Sequence, residues 1–109
     1  MAICNIAEDP SQSSEQFEQI HAHLRGTGPV PPEGARLVLA GQADHGRRVI
    51  TVWDSREARD SFFAERLGPA YVSAGLSFER VVHREFEVDT LVAGDLTGMP
   101  EEIAFAERR

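Results

Sequence analysis

The sequence predicts an α+β fold: a four-stranded antiparallel sheet with two helices on one face, in the order β-α-β-β-α-β. Three observations predict it. Strand-like and helix-like stretches alternate in that order. Helix caps, prolines or glycines punctuate the boundaries between them. The 109 residues suit one domain and not two. A chain of this length buries roughly 60–70% of the surface its unfolded form exposes, enough for a thin core.

Residues 2–7 (Ala-Ile-Cys-Asn-Ile-Ala) are short and apolar and are ended by Glu8-Asp9-Pro10, which predicts a first strand. Ser13 with Gln16 three residues on fits a capping box, although Asp9 or Ser11 also has capping chemistry. Phe17, Ile20 and Leu24 then recur at helical spacing until Gly26. Residues 27–34 hold three prolines and read as a loop. The runs 35–43 and 47–53, around Asp44-His45-Gly46, predict a hairpin. Both runs are almost continuously apolar, which suits a sheet covered on both faces.

Asp54 and Ser55 are expected to stop the strand and cap a second helix, Asp54 with Glu57 three residues on fitting a capping box, and Ala58, Phe62, Phe63 and Leu67 supply its buried stripe. Pro69 interrupts it, Ala70, Tyr71 and Ala74 continue it, and Gly75 stops it. A last strand is expected over 81–88, with Val82, Phe86 and Val88 on the apolar face and His83, Glu85 and Glu87 opposite. The element order is the ferredoxin-like split βαβ arrangement. Residues 1–93 form the expected domain and 94–109 a tail, with a short helix-like stretch from Pro100, that packs on a partner subunit or frays. A sheet apolar on both faces needs a second cover, and an identical sheet supplies it, so a two-fold homodimer is expected.

Composition narrows the function. Acids outnumber bases 18 to 11, for a formal charge of −7, which argues against a nucleic-acid partner or an anionic membrane surface. No stretch approaches the roughly 20 apolar residues of a membrane span. All bases are Arg, so Schiff-base chemistry through an internal lysine is excluded. Cys4 is alone, no Cys/His spacing suits zinc, and the N-terminus has no signal-peptide pattern. A cytoplasmic setting, no metal and no cofactor are therefore expected. No nucleophilic triad, phosphate loop or dinucleotide fingerprint is present.

The segment Gly34–Gly75 carries a resemblance. It reads Gly-Ala-Arg-Leu-Val-Leu-Ala-Gly, then Val-Ile-Thr-Val-Trp-Asp-Ser-Arg-Glu-Ala, then Phe-Phe-Ala-Glu-Arg-Leu-Gly-Pro-Ala and Ala-Gly-Leu. This resembles the dimeric α+β barrel superfamily, in its antibiotic biosynthesis monooxygenase-like (ABM) branch. The resemblance implies a ligand cavity in each subunit between sheet and helices. It also implies a range of activities: cofactor-free oxidation of polyketide or quinol substrates, polyketide cyclisation, haem degradation, or none. Val38 stands where that branch often has a His, Val88-Asp89-Thr90 where it often has Val-His-Asn, and Val49 where some members have an Asn. These departures tilt the expectation toward cyclisation or isomerisation by a shaped cavity over oxygenation.

Within such a cavity, Trp53 and Phe62 are expected to shape the wall, and Thr51 shares the face of Trp53. Asn5 is a candidate to bind substrate oxygen, and Phe86 to line the pocket. Arg84, between Val82 and Phe86, is expected either to clamp an anionic oxygen or to reach the sheet edge and pair with an acid. Tyr71 either donates to a substrate oxygen or keeps its hydroxyl in water. His21, on the flank of the first helix, is the best-placed proton carrier, while His83 is expected at an interface or in solvent. The ligand implied is a hydrophobic, oxygenated small molecule.

Overall fold

Ser13 starts the first helix as a capping box. Its hydroxyl accepts from the Gln16 amide, and Gln16 Oε1 accepts from the Ser13 amide at 3.0 Å. In the computed structural model, which describes residues 1–44 and 46–99, this helix is α1 (Ser14–Thr27). His45, expected in the hairpin turn, and the helix-like stretch expected from Pro100 lie outside the described residues. α1 runs one residue past Gly26. The reason is that its last carbonyls find donors: the Thr27 hydroxyl bonds the carbonyls of His23 and Leu24, and Arg66 bonds that of Leu24 and, in the loop beyond the helix, that of Pro29.

The strands are β1 (Ile3–Asp9), β2 (Ala35–Ala43), β3 (Gly46–Trp53) and β4 (Val82–Glu87). They form one antiparallel sheet in the order β2-β3-β1-β4. β1 extends two residues beyond the predicted end because Glu8 and Asp9 stay in register with Arg48 and Arg47, and Glu8 pairs with Arg48 at 3.2 Å. After β3, Ser55 and not Asp54 caps the second helix, accepting from the Ala58 amide at 3.1 Å. Asp54 is drawn away by Arg36 at 2.6 Å.

The second helical segment is continuous but not uniform: α2 (Arg56–Phe62), a π-helical turn (Phe63–Leu67) and α3 (Gly68–Ser73). The wide turn sits just before Pro69. A proline ring collides with the carbonyl four residues earlier in a regular α-helix, and widening the preceding turn relieves that clash. The core under the helices gathers Ile20, Leu24, Val30, Ala70, Tyr71 and Val81.

Cross-strand partners share a face, so the register fixes what each side of the sheet presents. The helix-covered face carries Ile3, Asn5, Ala7 and Asp9 of β1 opposite Trp53, Thr51, Val49 and Arg47 of β3. β4 contributes His83 and Glu85 to that face, opposite Ala7 and Asn5. This reverses the expected placement of β4. Val82, Arg84 and Phe86 lie on the outer face with Cys4 and Ile6, and Leu39, Val82 and Phe86 are each about half exposed there. Glu85 instead ties the sheet to α2, at 2.6 Å from both Arg56 and Arg59. These two cations, Arg59 first, hold its carboxyl below the usual carboxylate range.

Candidate functional site

Small side chains make the cavity. In the middle of the covered face Ala40, Val49 and Ala7 are neighbours across three strands, and the helices cannot fill the space above them. A cavity of about 400 Å³ results, lined mainly by apolar side chains of the sheet, α1, the second helical segment and the Pro31-Pro32 loop. Val38 and Ala40, on edge strand β2, line it while remaining exposed.

One end is an aromatic wall. Trp53 is fully buried, with its ring 5.4 Å from Phe62 and 6.4 Å from Phe63. Its indole N–H donates to Thr51 Oγ1 at 2.7 Å, which fixes the ring. On the β4 side, Asn5 Nδ2 lies 3.3 Å from His83 Nδ1. An amide nitrogen only donates, so this contact calls for a neutral imidazole carrying its proton on Nε2. Burial first, and the charge of Arg59 second, push the His83 pKa down, in agreement. Phe63 and Phe78 flank the same imidazole at 5.3 and 5.2 Å.

The other end is polar. Arg47 stacks on Phe17, with Cζ 3.9 Å from the ring centroid, and Phe17 in turn meets His21 at 4.6 Å. Burial, then Arg25 and Arg47, hold His21 below the ordinary histidine range, so it is a neutral base near pH 7. Deeper in, Gln12 Nε2 donates to Tyr71 Oη at 2.9 Å and to Asp9 Oδ2 at 3.3 Å. The carboxylate settles which way the amide points, because only the nitrogen can face it. Burial pushes the Tyr71 phenol up to about 12, so it stays protonated.

His21, Asn5, Thr51, Trp53, Phe62 and Tyr71 therefore line one cavity. Arg84 and Phe86, expected in it, lie on the outer face of β4. The hydrophobic alternation of β4 pointed the wrong way because the outer face of this sheet is apolar too. The Tyr71 hydroxyl bonds Gln12 and is not left in water. Three further lining residues are Gln12, Arg47 and His83, the last of them expected at an interface or in solvent. Arg47 was legible, since strand alternation places it on the face of Thr51 and Trp53. Gln12 left no signal in the sequence. Among the described residues no group of three His, Cys, Asp or Glu side chains could hold a metal ion, and no helix is long and apolar enough to cross a membrane.

The fold is shared with known structures. A candidate antibiotic biosynthesis monooxygenase from Chloroflexus aurantiacus superposes with a TM-score of 0.62 at 13% identity, over 85% of this chain and 98% of that one. A dimeric ferredoxin-like protein of unknown function from Jannaschia sp. CCS1 gives 0.55 at 12% identity, over 81% and 100%. A single-substitution mutant of SnoaB, a cofactor-independent oxygenase from Streptomyces nogalater, gives 0.52 at 16% identity, over 85% and 96%. The chain thus has the ferredoxin-like α+β fold of ABM-type proteins, the class to which its middle segment bears a resemblance. At these identities the likeness is one of fold. No family model and no curated protein matches the sequence.

Proposed function

We propose that this protein is a small cofactor-independent enzyme of polyketide-type metabolism that takes a hydrophobic, oxygenated substrate into the cavity between sheet and helices. The observation that carries this reading is the polarity of the cavity. Its aromatic wall suits fused rings, and its far end offers a neutral imidazole, a protonated phenol and a guanidinium where ring oxygens would lie. His21 would take a proton from a phenol or enol, Tyr71 would donate to an oxygen, and Asn5 with His83 would hold a second polar group. The reaction would be cyclisation or isomerisation of the bound skeleton, or its oxygenation by O₂. SnoaB, described as a cofactor-independent oxygenase, supports the second branch at the level of fold.

The half-exposed apolar outer face supports a homodimer joined sheet to sheet. The Jannaschia neighbour is described as dimeric.

The test is incubation with fused-ring phenols and polyketone chains, in air and under nitrogen, with products read by mass spectrometry. Oxygenation adds mass only in air. Cyclisation or isomerisation proceeds under nitrogen, with mass unchanged or lowered by water. Binding with no product under either gas supports instead a noncatalytic small-molecule-binding dimer. That reading is favoured by the bonds that already engage lining polar groups within the protein: Gln12 to Tyr71, Trp53 to Thr51, and Asn5 to His83.

A further inference from the structure

Arg47 is a cation placed on the covered face of β3 without an anionic partner among the described residues. Its cross-strand partner is Asp9, the obvious carboxylate to neutralise it. Asp9, however, is 2% exposed and turned elsewhere: it accepts from the Ser11 amide at 3.0 Å, the Ser11 hydroxyl at 2.7 Å and Gln12 Nε2 at 3.3 Å. Arg47 forms no ion pair with any described residue, and its Nε is buried with no hydrogen-bond partner. Arg36, Arg48, Arg56 and Arg59 all hold carboxylates, and Arg66 holds backbone carbonyls. A charge beside a largely apolar cavity is costly unless something pairs with it.

Phe17 occupies one face of the guanidinium and fixes its plane, leaving the edge donors for a ligand. Arg47 and Trp53 stand on the same face of β3, about 20 Å apart along the strand, with Val49 and Thr51 between them.

We propose that Arg47 anchors an oxyanion borne on a planar hydrophobic ligand, a ring carboxylate or a phenolate, with the rings reaching toward Trp53. The proposal rests on the reading of the cavity as a small-molecule site and names the charge of what enters. A planar fork of N–H donors matches an anionic oxygen pair better than a neutral carbonyl, and such charge-assisted bonds are the strong ones. The surplus of acids elsewhere on the chain makes an unpaired arginine at this position informative, because counter-charges are plentiful.

The experiment is isothermal titration calorimetry at pH 7 with 2-naphthoate, the neutral isostere 2-naphthamide, 2-naphthol, and naphthalene as the bare ring system. The wild-type protein is expected to prefer 2-naphthoate over 2-naphthamide by about tenfold or more. Alternatively, 2-naphthol binds as its naphtholate, read from the long-wavelength absorption band of the bound anion, whether its proton goes to the buffer or to His21. The first result identifies a carboxylate, the second a phenolate. Arg47→Met is expected to erase the preference for the acid over the amide, and Arg47→Lys, which keeps the charge but not the stacked fork, to retain part of it. Equal affinity for the acid and the amide, with no naphtholate band from the bound naphthol, overturns the assignment of Arg47 and leaves the cavity reading standing. Failure of all four compounds, naphthalene included, overturns the cavity reading and this assignment with it.

Discussion

A phenol sealed beneath two helices titrates differently from one in water. The Tyr71 hydroxyl is pushed up to about 12, chiefly by burial, with the Asp9 charge adding to it. A folded-state pKa raised above the ordinary 10 leaves stability intact below pH 10 and removes it as pH climbs toward 12. Tyr71 is the only tyrosine, so the phenolate absorbance band reads this directly. It is expected to appear only with alkaline unfolding. Tyr71→Phe is expected to lower stability by about 1 kcal/mol in urea titration, since Gln12 keeps its second bond to Asp9. The two cavity histidines act at the other end of the scale. Burial lowers both His21 and His83 below 6.5, so the unfolded chain binds protons that the folded chain refuses. Stability is therefore expected to fall as pH drops below about 6.5. The urea midpoint measured against pH checks this, and His83→Gln should flatten the slope.

At the scale of elements, the hairpin between β2 and β3 closes against the end of β1. Gly46 has φ +115°, and a Cβ there would sit 2.4 Å from the Asp9 carbonyl oxygen and from Pro10 Cα. These are backbone atoms that cannot swing aside. Gly46→Ala is expected to cost about 3 kcal/mol or more, read as a lowered midpoint of denaturation. The elements themselves were legible because their punctuation is strong: Ser13-Gln16, the Pro29–Pro32 loop and Gly75 mark boundaries by local chemistry. The face of β4 was not legible. Alternation tells which residues travel together and not which set points inward, and here the inward set is His83 and Glu85. Their polarity is satisfied by Asn5, Arg56 and Arg59, contacts more than 25 residues distant that no local window holds. The same error had put Arg84 and Phe86 in the candidate site, whereas Trp53 and Thr51 followed from the alternation of β3, which also points to Arg47.

For the whole molecule, the sheet divides two apolar environments, a cavity on the helix side and an uncovered surface on the other. If a second copy covers that surface, Leu39, Val82 and Phe86 are its natural contacts. Phe86→Glu is expected to yield a monomer in sedimentation velocity while keeping the helix content of the parent. A parent chain that sediments as a monomer would remove the dimer from the proposal. In that arrangement the two faces of edge strands β2 and β4 would answer to different constraints, the cavity on one and the second copy on the other.

Trp53 is the only tryptophan of the chain, has no solvent exposure, and donates its indole hydrogen to Thr51 while its ring lines the cavity. The protein thus carries its own optical reporter. Its intrinsic fluorescence comes from one indole in a single environment, so emission should be blue-shifted in the folded state. The signal should also change when an aromatic guest approaches the ring, and move to the red when the chain unfolds. Occupancy and folding can then be followed in one cuvette, without a dye or a label.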